Sequence, residues 1–89
     1  DIRIDNTGNL VLTDLNADGL AVDNNGSQTV ITAASDITVA TASESKGDFT
    51  LDASDDINVN ATVQSDASIS LLAGKDINQA AAGDVTAAA

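Results

Sequence analysis

The chain has 89 residues and a net charge of −11 at pH 7, with thirteen Asp and one Glu against three basic residues. It contains no His, Cys, Pro, Trp, Tyr or Met, and its only aromatic residue is Phe49. These counts exclude imidazole and thiolate metal sites, disulfides, and Ser/His or Cys/His catalysis. Too few basic and aromatic side chains are present for nucleic-acid binding, and no apolar run reaches the ~18 residues that membrane insertion needs.

The first predicted strands cover 9–12 and 19–22, and both carry motifs that recur later in the chain. We match 9–12 to 48–51 and 19–22 to 56–59, with two extra residues in the connection between them. A change of length between fixed strand motifs indicates a loop at the corner of a repeating unit.

The connection contains the hexapeptide DLNADG at 14–19, which matches the opening of a calcium-binding loop, D-x-N-x-D-G. Oxygen ligands at alternate positions and a Gly at the sharp turn are what the ion requires. The twelfth position of the loop, which should be a bidentate acid, is Asn25, although Asp23 would serve if the loop bends differently. The sequence predicts either an ordinary turn or a weak calcium site, and calcium is the one cofactor it suggests. The candidate ligands are Asp14, Asn16 and Asp18.

From residue 29 onward the sequence repeats every twenty residues. The aligned columns are Ile31, Leu51 and Leu71; Ala33, Ala53 and Ala73; Asp36, Asp56 and Asp76; and Ile37, Ile57 and Ile77. A disordered acidic linker would not keep apolar residues in register over three units. A compact β-sandwich of short strands is the other alternative, but it does not require a fixed period.

Each unit alternates apolar and polar side chains with a period of two, and Asn, Asp, Gly and Ser cluster between the alternating segments. Twenty residues accommodate two or three short strands with tight corners, which is one coil of a β-solenoid. Successive coils would stack ~4.8 Å apart as parallel strands. We expect the Ala column at a corner too narrow for larger side chains. The expected sheets are 29–31, 49–51 and 69–71, and 37–39, 57–59 and 77–79.

The repeat predicts an all-β chain of about four coils of roughly 20 residues, forming a single β-solenoid segment over 1–89. The predicted units are approximately 9–28, 29–48, 49–68 and 69–89. The last unit is less regular, because Gln79 occupies an inward apolar column and 80–89 is rich in Ala. We match 83–87 to 47–51. Because the chain starts without Met and has no apolar signal segment, we expect a fragment of a longer rod.

The column of Asp36, Asp56 and Asp76 is the clearest polar feature of the repeat. Two unit charges ~4.8 Å apart in water repel by only ~0.9 kcal/mol, so an exposed column is tolerable. We expect each Asp to open a strand at a corner and to accept backbone N–H groups. Divalent-cation binding between coils is the functional alternative. Paired catalytic carboxylates are less favoured, because few basic or aromatic side chains are available to hold a sugar.

The segments GDFTLDA (47–53), ASDDINV (53–59) and LAGKDIN (72–78) resemble the repeats of filamentous-haemagglutinin-like exoproteins. These are the large adhesins, haemolysins and contact-dependent toxins of Gram-negative two-partner secretion. The resemblance covers roughly 8–89, and its degenerate motif points to a superfamily of shafts. It implies a right-handed parallel β-helix that is exported and displayed at the cell surface.

Together, the residues and the resemblance predict a structural shaft segment of a secreted bacterial surface exoprotein, not an enzyme. The segment would extend or display an adhesive tip in cell adhesion or biofilm formation. Its partners would be neighbouring coils of the same polypeptide, and a host or matrix ligand would bind the tip outside this segment. A carbohydrate-active β-helix is an alternative, but it would group Lys, Arg, His or aromatic residues on one face. An ice- or mineral-binding solenoid would need a uniform Thr column, which Thr38, Asn58 and Asn78 only approach.

Overall fold

The computed structural model describes residues 2–13 and 19–87, and the regular structure in these ranges consists of β-strands. The strands are short, and side chains along most of them alternate between a covered and an exposed face. The twelve strands of the described ranges are β1 Ile2–Asn6, β2 Leu10–Leu12, β3 Val22–Asn24, β4 Gln28–Ala33, β5 Ile37–Val39, β6 Ser43–Ser45, β7 Asp48–Ala53, β8 Ile57–Val59, β9 Val63–Ser65, β10 Ile69–Ala73, β11 Ile77–Gln79 and β12 Val85–Ala87.

The strands form three parallel sheets of four strands each. The first sheet has the order β1-β4-β7-β10, the second β2-β5-β8-β11 and the third β3-β6-β9-β12. Every third strand along the chain therefore returns to the same sheet, one layer further on, and three successive strands make one coil. This architecture is a β-solenoid, as the alternation and the repeat predicted.

The twenty-residue register is confirmed in both predicted sheets. Ile31 pairs with Leu51 and Leu51 with Leu71 in the first sheet. In the second sheet Ile37 and Ile57 are vertical neighbours, as expected. The solenoid makes about three complete turns between β1 and β10, slightly fewer than the expected four coils, and β11 and β12 continue the last layer.

The sequence matches at the two flanks are wrong. Leu10 pairs with Ile37, so 9–12 belongs to the second sheet rather than stacking with 48–51. Val22 pairs with Ser43 in the third sheet. Val85 pairs with Val63 in the same sheet. The flanking strands β1, β2 and β3 all alternate between more covered and more exposed side chains, and the connections between strands differ in length. Local pattern alone therefore cannot assign a flanking strand to its sheet.

The core is a set of inward aliphatic columns that run along the solenoid. Its central layers are closed to solvent: the residues with no exposed surface include Ile31, Leu51, Ile37, Ile57, Val39, Val59, Phe49 and Val63. These side chains belong to one apolar cluster, and each lies in register with the equivalent positions of the neighbouring layers. Since a coil cannot bury its inward face without a neighbour, the stability of the fold resides in contacts between coils.

The Ala column does lie at a corner, but this corner is not limited to small side chains. Ala33 and Ala53 are buried at the ends of β4 and β7. In the first layer the same position is Asn6, which pairs with Ala33. The Asn6 amide donates hydrogen bonds to the carbonyl oxygens of Gly8 (3.0 Å) and Asn9 (2.9 Å). A larger polar residue is therefore accepted where it can bond the turn that follows.

The last layer keeps its register despite the polar residue in its inward column. Gln79 pairs with Val59, and its amide donates a hydrogen bond to the carbonyl oxygen of Gly83. Gly83 is buried, and its N–H donates to the carbonyl oxygen of Ala80 at 2.9 Å. The amide of Gln79 thus bonds the connection between β11 and β12 instead of facing the core unpaired.

Gly47 lies at a corner where two coils approach each other closely. A Cβ atom on this residue would lie 1.1 Å from the carbonyl oxygen and 2.2 Å from the carbonyl carbon of Ser27. These are backbone atoms of the preceding corner, so a rotamer change cannot relieve the contact. No such contact exists at Gly8, where a Cβ would meet no atom within 4 Å.

We predict that Gly47→Ala lowers the free energy of unfolding by about 3 kcal/mol or more, because the coils must separate locally. The control Gly8→Ala should change it by less than about 1 kcal/mol. Urea denaturation followed by far-ultraviolet circular dichroism measures both variants. Equal stability of the two variants would contradict the close packing of the corners at Ser27 and Gly47.

Candidate functional site

The candidate calcium ligands Asp14, Asn16 and Asp18 lie outside the described residues, so calcium binding by this loop stays a prediction. Gly19, which follows them, has a φ of +86°, a left-handed conformation that glycine adopts without strain. Within 2–13 and 19–87, no group of three or more acidic side chains is arranged to hold a metal ion. The stacked Asp column therefore does not form such a group.

The Asp column is instead a ladder of hydrogen bonds between coils, as its structural interpretation predicted. The backbone N–H of Asp56 donates to Oδ1 of Asp36 at 3.0 Å, and that of Asp76 donates to Oδ1 of Asp56 at 3.1 Å. In the first layer Asn9 takes the same role, because its Oδ1 accepts the N–H of Asp36 at 3.1 Å. Each side chain thus satisfies a backbone donor of the next coil at a point where the strand has not yet begun.

A second bond of opposite direction closes each step of this ladder. Ile37 donates its N–H to the carbonyl oxygen of Asp56 (3.0 Å), and Ile57 donates to that of Asp76 (3.0 Å). A matching pair of bonds joins the start of β7 to the residue before β10: Ser68 donates its N–H to Oδ1 of Asp48 (3.2 Å), and the carbonyl oxygen of Ser68 accepts the N–H of Phe49 (2.8 Å). We call this two-bond arrangement the corner clamp.

A third group of polar side chains lies inside the solenoid, at the corner between the third and first sheets. Asn24 donates to the carbonyl oxygen of Gln28 and to Oγ1 of Thr29, both at 2.8 Å. Thr29 in turn donates to Oγ of Ser45 at 3.1 Å, and Ser65 donates to the carbonyl oxygen of Gly47 at 2.7 Å. Throughout the described part of the chain, every buried side-chain nitrogen and oxygen has a hydrogen-bond partner.

The outward column of the second sheet, which contains Thr38, Asn58 and Asn78, is joined by side-chain hydrogen bonds. Asn78 donates to Oδ1 of Asn58 at 3.0 Å, and Asn58 donates to Oγ1 of Thr38 at 3.4 Å. At the far end of this column stands Val11, which pairs with Thr38 and is 56% exposed. The column therefore directs polar groups along the solenoid axis and is not a uniform Thr array.

A surface depression with a volume of about 110 Å³ lies beside the corner that follows the third sheet. Its lining includes Asp23, Glu44 and an exposed ion pair of Lys46 with Asp66, whose charged atoms are 3.8 Å apart. Lys75 pairs with Asp55 at 3.5 Å at another corner. Exposed pairs of this kind contribute ~0–1 kcal/mol, and the lysines are spread over different corners instead of forming one site.

Comparison of the chain with protein-family models, with curated proteins and with solved structures finds no match. The resemblance to filamentous-haemagglutinin-like repeats therefore stays an expectation from the sequence. Among the described residues there is no helix long and apolar enough to cross a membrane.

The buried polar corner and the third sheet were not predicted from the sequence. Ser43 and Ser45 face inward in β6 and are buried, yet a segment SES has no apolar alternation to mark it as a strand. The spacing of twenty between Ser45 and Ser65 was the available signal. Small polar residues that recur in register indicate an inward column whose hydrogen bonds are made with the backbone.

We predict that Asp36→Ala lowers the free energy of unfolding by about 1 kcal/mol, which is ~4–8 °C in melting temperature for a chain of this size, because the N–H of Asp56 loses its acceptor. Asp36→Asn should be close to wild type, since Asn9 already fills this role one layer below. Asp52→Ala removes an exposed carboxylate for which no side-chain hydrogen bond is seen among the described residues, and it controls for the change of charge. Equal losses for Ala and Asn at 36 would show that the carboxylate charge, not the acceptor oxygen, is required.

Proposed function

We propose that this chain is a structural segment of a right-handed β-helical shaft in a secreted bacterial surface exoprotein. The shaft would hold an adhesive tip away from the cell in adhesion or biofilm formation, with neighbouring coils of the same polypeptide packed on its ends. The handedness, the surface location and the adhesive role rest on the resemblance of 47–59 and 72–78 to filamentous-haemagglutinin-like repeats.

The observation that carries the proposal is the use of the polar side chains for contacts between coils. The clamp at Asp36 and Asp56, the outward Asn58–Asn78 contact and the buried corner at Ser65 all join one coil to the next. A binding or catalytic site would instead direct several polar groups toward one external point. Side chains that are hydrogen-bonded along the solenoid axis suit a segment whose role is to extend and stiffen a rod.

The alternative of a carbohydrate-active β-helix has less support. Its sugar-binding face would need cationic or aromatic side chains close together. The three basic residues are spread instead: Arg3 lies on β1, Lys46 follows β6 and Lys75 follows β10. Phe49, the single aromatic residue, is fully buried in the core.

Calcium binding at Asp14, Asn16 and Asp18 accompanies the proposal as a weak effect, in the ~10⁻⁴–10⁻³ M range of extracellular modules. An ion that binds the folded loop raises the melting temperature by mass action. Thermal melts with millimolar calcium and with chelator, at constant ionic strength, measure this rise. Asp18→Ala should abolish it if the loop is the site, whereas loss in Asp56→Ala would assign it to the Asp column. An unchanged melting temperature would indicate that the loop and the Asp column are turns that do not bind calcium.

A shaft should tolerate the loss of one complete coil. Deleting 48–67 removes twenty residues and brings Ser68 after Gly47, where it takes the place of Asp48 in the corner. We expect the parent exoprotein with this deletion to reach the surface and to keep its adhesive activity. The control deletion of 48–58 removes eleven residues, so the side chains of the following strands change face, and it should abolish folding.

Surface display is measured by antibody labelling of intact cells, and adhesion by counting cells retained on the ligand. Normal display with lost adhesion in the 48–67 deletion would contradict the shaft role, because the deleted coil would then carry the binding activity itself. Folding and display of the 48–58 deletion would contradict the requirement for a twenty-residue register.

A further inference from the structure

One corner of the solenoid carries an Asn-Gly step on the outside of the coil. Asn25 and Gly26 lie in the connection between β3 and β4, and both residues are exposed to solvent. The side chain of Asn25 borders the surface depression that Lys46 and Asp66 also line. Because Gly has no Cβ to hinder a close approach of its own backbone, the amide nitrogen of Gly26 is well suited to attack the preceding side-chain amide.

The exposure of Asn25 belongs to the side of the solenoid and not to its end. Asn25, Lys46 and Asp66 each directly follow residues that pair in the third sheet, so they occupy one corner column in successive layers. Lys46 has a layer on either side of it, and its side chain is nevertheless 62% exposed. Further coils stacked on the first layer would therefore leave this column open to water.

The same column provides a partner for a negative charge at position 25. Nζ of Lys46 lies 3.8 Å from Oδ2 of Asp66, in the layer that follows it. At another corner Lys75 pairs at 3.5 Å with Asp55, in the layer before it, so a corner lysine reaches a carboxylate in either neighbouring layer. A carboxylate at position 25 would lie one layer before Lys46, ~4.8 Å away along the axis. Lys46 would then stand between two carboxylates.

We propose that Asn25 is a site of spontaneous deamidation, with water as the second reactant. The amide nitrogen of Gly26 loses its proton to hydroxide and bonds to Cγ of Asn25, while the bond from Cγ to the side-chain nitrogen breaks and ammonia leaves. Water then opens the succinimide ring at one of its two carbonyl carbons. Opening at Cγ leaves aspartate at position 25, and opening at the backbone carbonyl leaves isoaspartate, whose main chain is one carbon longer. One water enters and one ammonia leaves, without oxidation or reduction.

Asn24 holds the attacking nitrogen until the corner opens. The N–H of Gly26 donates to Oδ1 of Asn24 at 2.8 Å, and this bond must break before the nitrogen reaches Cγ of Asn25. Ser65 makes the equivalent bond two layers further on, where its Oγ accepts the N–H of Ala67 at 2.9 Å. Because the corner is exposed, it can open without unfolding the core. The folded chain should therefore react more slowly than a synthetic peptide of residues 22–29, but faster here than at its other Asn residues.

The corner accommodates both products of the reaction. Asp66 already places an aspartate in this column two layers further on. Three residues separate Asn24 from Gln28, whereas two separate Ser45 from Asp48 in the next layer, so the length of this corner is not fixed. The additional main-chain carbon of isoaspartate is therefore taken up in the connection, and β3 and β4 keep their register.

Peptide mapping by mass spectrometry, after incubation of the folded chain at mildly alkaline pH, tests the site. The measured quantity is the gain in mass that accompanies replacement of an amide by a carboxylate. We expect Asn25 to react at least about tenfold faster than Asn60, which is also exposed but is followed by Ala61. Gly26→Ala should slow the reaction at Asn25 about tenfold or more, with circular dichroism melts to verify folding. Equal rates at Asn25 and Asn60, or an Asn25 that stays intact after the 22–29 peptide has reacted completely, would overturn the proposal.

The variant Asn25→Asp reproduces the ordinary product and tests the role of Lys46. Thermal melts compare the effect of this substitution in the wild-type chain and in Lys46→Gln. We expect its effect on the melting temperature to be about 1–4 °C more favourable when Lys46 is present, because only the ammonium group pairs with the new carboxylate. About 0.5 M salt should remove most of this difference by screening. Equal effects in the two backgrounds would overturn the assignment of Lys46 as the partner of the new charge.

Discussion

The structure depends on backbone hydrogen bonds between residues about one coil apart in the sequence. A short strand such as β5 or β8 cannot pair within its own coil, so its N–H and C=O groups are satisfied only by the coils on either side. This requirement keeps paired residues of the central layers twenty residues apart. One residue inserted within a strand would reverse the faces of the side chains that follow it. Where the length does change, around 13–21 and at 80–84, it changes in the connections between strands.

The same constraint explains how a chain with few large apolar residues obtains a core. A coil of three short strands encloses a narrow interior, and columns of Ile, Leu and Val occupy its centre. At one corner the interior is lined by Asn24, Thr29, Ser45 and Ser65, which are buried but hydrogen-bonded. Burial of polar groups costs free energy only where hydrogen bonds are lost, and here the bonds are made with backbone and hydroxyl groups of the corner.

Charge is placed so that it assists stacking at the corners while remaining outside the core. The Asp ladder puts like charges on successive coils, yet each carboxylate receives a backbone N–H of its neighbour. Lys46 and Lys75 offset part of the repulsion by pairing with Asp66 and Asp55 across adjacent coils. A surface of this kind opposes lateral association of the solenoid.

The sequence by itself determined the fold class, the period and the register of two sheets. An apolar side chain that recurs every twenty residues, as at Ile37 and Ile57, directly predicts an inward column, because positions buried in the core require apolar residues. It also predicted the role of the Asp column, since Asp beside a turn commonly accepts backbone N–H groups.

Only the tertiary structure decided which sheet each flanking strand joins, because β1, β2 and β3 share one alternation and connections of variable length separate them. It also revealed the third sheet, whose inward Ser43 and Ser45 are compatible with burial only once their hydrogen-bond partners are in place. Local pattern specifies which face of a strand is covered. The residues that cover this face are determined by how the coil closes, which depends on contacts between residues far apart in the chain.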